Sequence, residues 1–161
     1  MARALDDAAL YRRIEDFMIR YVHCVDDDRL EAWPDFFAER CLYKIVSREN
    51  HDRGLPLGVM ECDSRGMLKD RIASLRRANV YEPQTYRHQI SALEVERLDG
   101  QRFKCRSNYL VVRTMADGAM SLFSTGRYLD RLVAEGDDFL IEERLVVFES
   151  RQIETLLVIP L

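Results

Sequence analysis

The chain is poor in the residues and loops from which most catalytic sites are built. It has three histidines, His23, His51 and His88, far apart in the sequence. A mononuclear iron site of the two-histidine, one-carboxylate kind needs two of them to converge with an acid and leave iron positions open. Three dispersed histidines show no such spacing, so no metal site is expected on this chain. No Gly-x-Gly-x-x-Gly or Gly-x-x-x-x-Gly-Lys loop is present to cradle a phosphate, and no Gly-x-Ser-x-Gly turn to present a nucleophile. The four cysteines, Cys24, Cys41, Cys62 and Cys105, form no Cys-x-x-Cys pair. They read as reduced structural thiols, with Cys24 and Cys105 on apolar-patterned positions.

Long apolar runs are missing too. None approaches the roughly 20 residues that span a bilayer, so no membrane partner is expected. The segment Met1 to Asp7 is polar, carries Asp6 and Asp7, and offers no apolar stretch of the secretory kind; the cytoplasm is the expected location. A net charge of −4 is mild and argues against a general nucleic-acid binder. There is no Gly/Ser or Pro-rich linker, no low-complexity tract and no internal repeat. With 161 residues, 47% hydrophobic and 32% charged, the chain suits one domain over residues 1–161 with one real core.

What is present is ordered as helices first and strands after. Leu10, Ile14, Phe17, Met18, Tyr21, Val22 and Val25 recur at helical spacing and predict a helix from about Ala8 to Val25. The acidic run Asp26-Asp27-Asp28 follows, where carboxylates disfavour further helix. Leu30 to Phe37 predicts a short helix with an aromatic face and Pro34 in its first turn. A strand is expected over Leu42 to Ser47, then a polar loop with Gly54, Pro56 and Gly58. Ser64 should cap a basic helix of about Arg65 to Ala78, with Leu68, Ile72 and Leu75 inward and Arg65, Lys69, Arg71, Arg76 and Arg77 outward. From Thr85 the period changes to two. Tyr86, His88, Ile90 and Ala92 share one phase while Leu93 and Val95 share the other, which predicts a β-bulge near Ala92-Leu93. Asp99-Gly100 and Asp117-Gly118 mark hairpin turns, and Gly136-Asp137-Asp138 turns a long strand, Met120 to Val133, into Phe139 to Phe148. Helices leading into a long antiparallel meander predict an α+β domain, and strands of this length with a bulge curl. A curled antiparallel sheet wrapped round N-terminal helices makes a cystatin-like cone with a concave mouth.

The order of several short patterns resembles the small (β) subunits of Rieske-type aromatic-ring-hydroxylating oxygenases over nearly the whole chain. They are Tyr21-Val22-His23-Cys24-Val25-Asp26-Asp27 leading into Leu30-Glu31-Ala32-Trp33 and Phe36-Phe37, then Arg87-His88-Gln89-Ile90, then Gly126-Arg127-Tyr128-Leu129-Asp130. The last is Glu143-Arg144-Leu145-Val146-Val147-Phe148-Glu149 before Pro160-Leu161. One departure is Phe148-Glu149, where that family leads one to expect an Asp. The resemblance implies a large α partner that carries a Rieske [2Fe–2S] cluster and a mononuclear Fe(II), with electrons from NAD(P)H through separate components. It implies an α3β3 heterohexamer in which the β subunits also touch one another, and a mainly structural role. Oxygenases of aromatic carboxylates, such as salicylate, anthranilate or terephthalate, are the nearest in flavour. A Rieske site itself needs Cys-x-His and Cys-x-x-His, and neither occurs here.

The residues themselves keep other readings open. Cone enzymes can abstract protons with a pocket Asp or an Asp–His pair in a dry cavity, and Tyr21, Asp26 and His88 could converge on the mouth of this cone. That would make it a stand-alone dehydratase or isomerase; a ligand-binding cone without chemistry is a third possibility. The structural reading places Asp26 at a solvated helix end and His88 in the core with a satisfied hydrogen bond. Large inward side chains such as Phe103 and Tyr109 would favour assembly, and a roomy pocket lined by Asp26 and His88 would favour catalysis. The basic helix has three readings, in falling order: a solvated face, a contact for an acidic patch of the large subunit, and, against the acidic charge of the whole chain, an RNA or anionic-membrane surface. The apolar tail Leu156 to Leu161 must pair, plug the cone or lie at an interface.

Overall fold

A computed structural model describes residues 2–78, 80–149 and 157–161, with side chains from residue 7 onward. Helix α1 (Ala2–Asp26) is longer than its apolar stripe predicts, beginning at Ala2. It ends in a Schellman arrangement: Arg29 N–H donates to Cys24 C=O at 2.9 Å and Asp28 N–H to Val25 C=O at 3.1 Å. Asp28 takes the left-handed position at φ 57°, which a short polar side chain tolerates better than most. The acidic run therefore ends the helix by turning the chain. The expected helix over Leu30 to Phe37 shrinks to a 3-10 turn, Trp33–Phe36, begun by Pro34. Phe37 is already extended and opens β1 (Phe37–Ser47), five residues before the predicted strand start. A bulge between Arg40 and Tyr43 interrupts the alternation there, so the strand's period is hidden in the sequence.

Two further elements occupy the predicted polar loop. The Ser47 hydroxyl accepts from Asn50 N–H at 3.2 Å and caps a single-turn helix α2 (Arg48–Asp52). Strand β2 (Met60–Ser64) pairs antiparallel with β1. Helix α3 (Arg65–Arg77) begins at its expected cap, Ser64, and buries Leu68, Ile72 and Leu75. The rest is the meander β3 (Gln84–Arg97), β4 (Arg102–Met115), β5 (Met120–Glu135) and β6 (Asp138–Phe148). The predicted bulge is present: Ser91 faces Asn108 and Glu94 faces Arg106, so Ala92 and Leu93 oppose Ser107 alone, with Ala92 at φ 52°.

The six strands lie in the order β2-β1-β6-β5-β4-β3. The sheet is mixed, not antiparallel throughout as expected, because β6 returns beside β1 and runs parallel to it. No local pattern reports that pairing; it is made by the meander's far end. The sheet curls round α1, whose Ile14, Phe17, Met18, Tyr21 and Val25 are buried against Trp33, Tyr43, Phe103, Tyr109, Tyr128 and Phe139. Gly126 permits the closest backbone approach, since a Cβ there would lie 2.1 Å from Val147 O on β6. Leu157, Val158, Ile159 and Leu161 are buried in the same core, so the tail completes the cone. Leu156 lies outside the described residues. No helix among the described residues is long and apolar enough to cross a membrane.

Candidate functional site

The axis of the cone holds a buried ion pair. Asp130 on β5 and Arg144 on β6 are register partners with fully buried side chains. Arg144 Nε and Nη2 each donate to one Asp130 oxygen at 2.8 Å. The guanidinium is sandwiched between aromatic faces, 4.0 Å from the Tyr21 centroid and 4.4 Å from that of Tyr128. Tyr128 stacks in turn on Tyr109 at 4.7 Å. Burial works against the Arg144 charge, but Asp130 and the two tyrosine rings more than offset it, and its pKa is raised. Burial likewise pushes the Tyr21, Tyr43 and Tyr128 phenols up, so all three stay protonated at neutral pH. This cluster was not foreseen as a unit. Its signal was available in the alternation of β5 and β6, which puts Asp130 and Arg144 on the inward phase of two otherwise apolar strands.

The tail closes one end of the cluster. The Tyr43 hydroxyl accepts from Leu161 N–H at 3.0 Å and donates to Leu161 O at 2.9 Å, and Tyr21 Oη lies 3.4 Å from the same oxygen. Arg71 on α3 donates to Leu157 O at 2.7 Å.

Asp26 and His88 do meet. His88 Nδ1 lies 2.6 Å from Asp26 Oδ1, and His88 backbone N–H donates to Asp26 Oδ2 at 2.8 Å. The carboxylate so pins the end of α1 to β3. The expectation that Asp26 sits in solvent is therefore wrong: its side chain is 1% exposed and that of His88 is 0%. The reason is the helix-ending turn, which sends Asp27 and Asp28 outward and leaves Asp26 facing the sheet. The reading of His88 as satisfied is half right, since Nδ1 is engaged but Nε2 is buried without a hydrogen-bond partner. Tyr21 does not join the pair. It lies deeper in the cone, between Arg144, Phe36 and Phe37.

An open cleft of about 430 Å³ lies at the mouth, between the end of α1, the start of β3, the β4–β5 hairpin and Ile159. Asp26 and Tyr86 border it, but His88 does not. Phe103 and Tyr109 are buried and fill the interior. No group of three or more His, Cys, Asp or Glu that could hold a metal occurs among the described residues. The four thiols are buried and free. Burial holds Cys41 up at about 11 and Cys105 at about 12, which suits packing, not nucleophilic work.

The basic helix is less free than its composition implies. Arg65 donates to Phe37 C=O, and Arg71 holds the tail. Arg76 bridges Asp28 at 2.9 Å and Glu31 at 2.7 Å. These cations are internal clamps that bind α3 to the turn after α1, to β1 and to the tail; Lys69 and Arg77 remain as solvated charge.

Fold and site together define an α+β cone with a packed interior and an Asp–His pair whose side chains are buried beside the cleft at its mouth. Residues 20–155 match the family described as ring hydroxylating beta subunit, and the chain belongs to that family. It is 37% identical over 161 residues to the anthranilate 1,2-dioxygenase small subunit of Burkholderia cepacia, covering 100% of both chains. It is 35% identical to a terephthalate 1,2-dioxygenase terminal oxygenase β subunit of Comamonas sp., covering 92% of this chain and 97% of that one. A solved structure from Novosphingobium aromaticivorans, assigned as the β subunit of an aromatic-ring-hydroxylating dioxygenase, superposes with a TM-score of 0.88. That chain is 37% identical, with 96% of this chain and 99% of that chain covered.

Proposed function

We propose that this chain is the structural, non-catalytic β subunit of a cytoplasmic multicomponent Rieske non-haem iron oxygenase. Its task is to hold large catalytic α subunits in an α3β3 assembly that hydroxylates an aromatic carboxylate of the anthranilate, terephthalate or salicylate kind. The observation that carries the reading is the filled cone. Where a cone enzyme needs a ligand cavity, this chain has the Asp130–Arg144 pair, four packed tyrosines and its own tail. Such an interior gives a rigid body suited to positioning others, since closed symmetry fixes every subunit by repeating a few contacts. The relatives named above favour the aromatic carboxylate. The [2Fe–2S] cluster and the mononuclear iron belong to the large subunit, which NAD(P)H-driven electron-transfer components would reduce.

The test is co-expression with a large oxygenase subunit, followed by size-exclusion chromatography with light scattering and iron analysis. Co-elution as an iron-bearing complex of six chains, with this chain alone iron-free and inactive, supports the proposal. A small self-contained species that ignores the large chain overturns it.

The 2.6 Å Asp26–His88 contact favours one alternative, a dehydratase or isomerase of the cone type. Its test is α-proton exchange of small cyclic ketones, or loss of water from cyclic β-hydroxyketones, by the chain alone, abolished by Asp26→Asn.

A further inference from the structure

The cleft at the mouth of the cone, about 430 Å³, has the size of a site for one small ring compound. Val25, Tyr81, Pro83, Met115 and Ile159 give it apolar walls. The charged side chains that border it are Asp26 and Asp28, and no Lys or Arg borders it among the described residues. Asp28 shares the Arg76 guanidinium with Glu31, at 2.9 and 2.7 Å, so one cation serves two acids at this rim. Arg113, the register partner of Tyr86, lies over the Phe123 ring at 4.8 Å and does not border the cleft. A concave surface with apolar walls and charge of one sign focuses its field, and here the field favours a cation.

The floor of the cleft carries unpaired polar atoms. Gln84, Tyr86 and His88 follow one another on the inward phase of β3, and each has a buried polar atom without a hydrogen-bond partner: Gln84 Oε1, Tyr86 Oη and His88 Nε2. Buried polar atoms are ordinarily paired, so three in succession on one strand face mark a place built for more than packing. Gln84 and Tyr86 border the cleft, and Tyr86 is only 3% exposed. An amide oxygen only accepts, and a phenol oxygen accepts as well as donates, so both can take an N–H donor. His88 does not border the cleft, and its Nδ1 and backbone N–H are spent on Asp26.

We propose that this cleft binds a small organic cation, an ammonium or amidinium carried on an apolar ring. The ring packs on Tyr81, Pro83 and Met115, where the aromatic face adds its own attraction for positive charge. The N–H groups meet Asp28 at the rim and, with a turn of the half-buried Gln84 side chain, Gln84 Oε1 and Tyr86 Oη at the floor. The Asp26 oxygens stay with His88 and contribute charge to the wall. A carboxylate on the same ring is repelled by the same two acids.

The probe is benzamidine, and benzoate is its control of like shape and opposite charge. The isotope-labelled full chain is titrated with each and followed by amide NMR shifts. Benzamidine should move the resonances of residues 25–28, 81–86 and 114–116 and the Gln84 side-chain amide. Benzoate should bind at least about tenfold more weakly, the least that reversing one charge near two carboxylates produces. Tyr86→Phe should weaken benzamidine by about fivefold, and Asp28→Asn by about threefold with a flatter salt dependence. Ala116→Trp, at an exposed turn position, should abolish binding by filling the entrance. Circular dichroism with a melting curve confirms that each variant folds. Benzoate that binds as tightly as benzamidine, shifts scattered over the surface, or three variants that bind as the wild type does overturn the inference. Saturation-transfer NMR on the chain co-expressed with the large subunit adds one more test. Benzamidine excluded from that complex overturns the inference, by giving the cleft to a side chain of the partner, while the subunit proposal survives. A chain that binds benzamidine and never a large subunit sinks the subunit proposal and leaves this inference standing.

Discussion

Asp130 and Arg144 stand opposite each other on β5 and β6, and each of two guanidinium nitrogens meets its own carboxylate oxygen at 2.8 Å with both side chains excluded from solvent. A buried pair of this kind is held by mutual dependence. Asp130→Ala leaves Arg144 charged and uncompensated between Tyr21 and Tyr128, and should destabilise the fold by about 3–5 kcal/mol. Replacing both with apolar residues, Asp130→Leu with Arg144→Met, should recover most of that loss. Urea denaturation of the three proteins checks the ordering; a single variant as stable as the wild type would show that the pair contributes nothing.

The Asp26 carboxylate links α1 to β3 through two contacts to His88. Asp26→Asn keeps the shape but removes the charge from the 2.6 Å contact and should cost about 1–3 kcal/mol. In the assembled oxygenase, turnover per iron should stay within twofold of the wild type. A loss of turnover with unchanged stability and assembly would give the pair a role beyond anchoring.

Tyr43 serves the tail with one hydroxyl that both accepts and donates. Tyr43→Phe leaves Leu161 N–H and O without those partners and should cost about 1–3 kcal/mol. Deleting Leu156 to Leu161 uncovers the core around Tyr21 and Tyr43 and should leave the chain unable to stay soluble or to assemble. A truncated chain that remains soluble and still binds the large subunit would refute the plug.

Stability should fall at both ends of the pH range. At the acid end, hydrogen bonds from Arg20 hold Asp138 below the usual carboxylate range, and Arg76 does the same for Glu31. A depressed carboxylate gives stability that is present above its unfolded pKa, about 4, and lost as pH falls through the lower folded value. Arg20→Gln should therefore flatten the acid limb. At the alkaline end the sign reverses. Cys41 and Cys105 are held up at about 11 and about 12 by burial, so their contribution is intact below the unfolded thiol value, about 8.5, and declines as pH rises towards those folded values. Melting temperatures from pH 3 to 11 test both limbs, and Cys105→Ala should reduce the alkaline slope.

Much of the fold was legible because it is written in local periods. The stripe from Leu10 to Val25 gave α1, the cap at Ser64 gave α3, and the phase change between Ala92 and Leu93 gave the bulge that helps the sheet curl. The Asp-Gly pairs gave the hairpins. What escaped was short or broken in period: β2 spans five residues inside a polar loop, and the bulge after Arg40 hides the first half of β1. Asp26, His88 and Tyr21 were named from their chemistry, and two of the three meet.

By itself, then, the amino-acid order determined α1, α3, the long strands of the meander with their turns, and the apolar side chains that face inward, because those follow from nearest-neighbour geometry along one chain. Only the tertiary structure decided the parallel return of β6 beside β1, the burial of Asp26 against His88, and the meeting of Asp130 with Arg144. Each of these joins residues on separate elements. Their interaction depends on how far water is excluded between them, a property of the packed cone and not of any local run of residues.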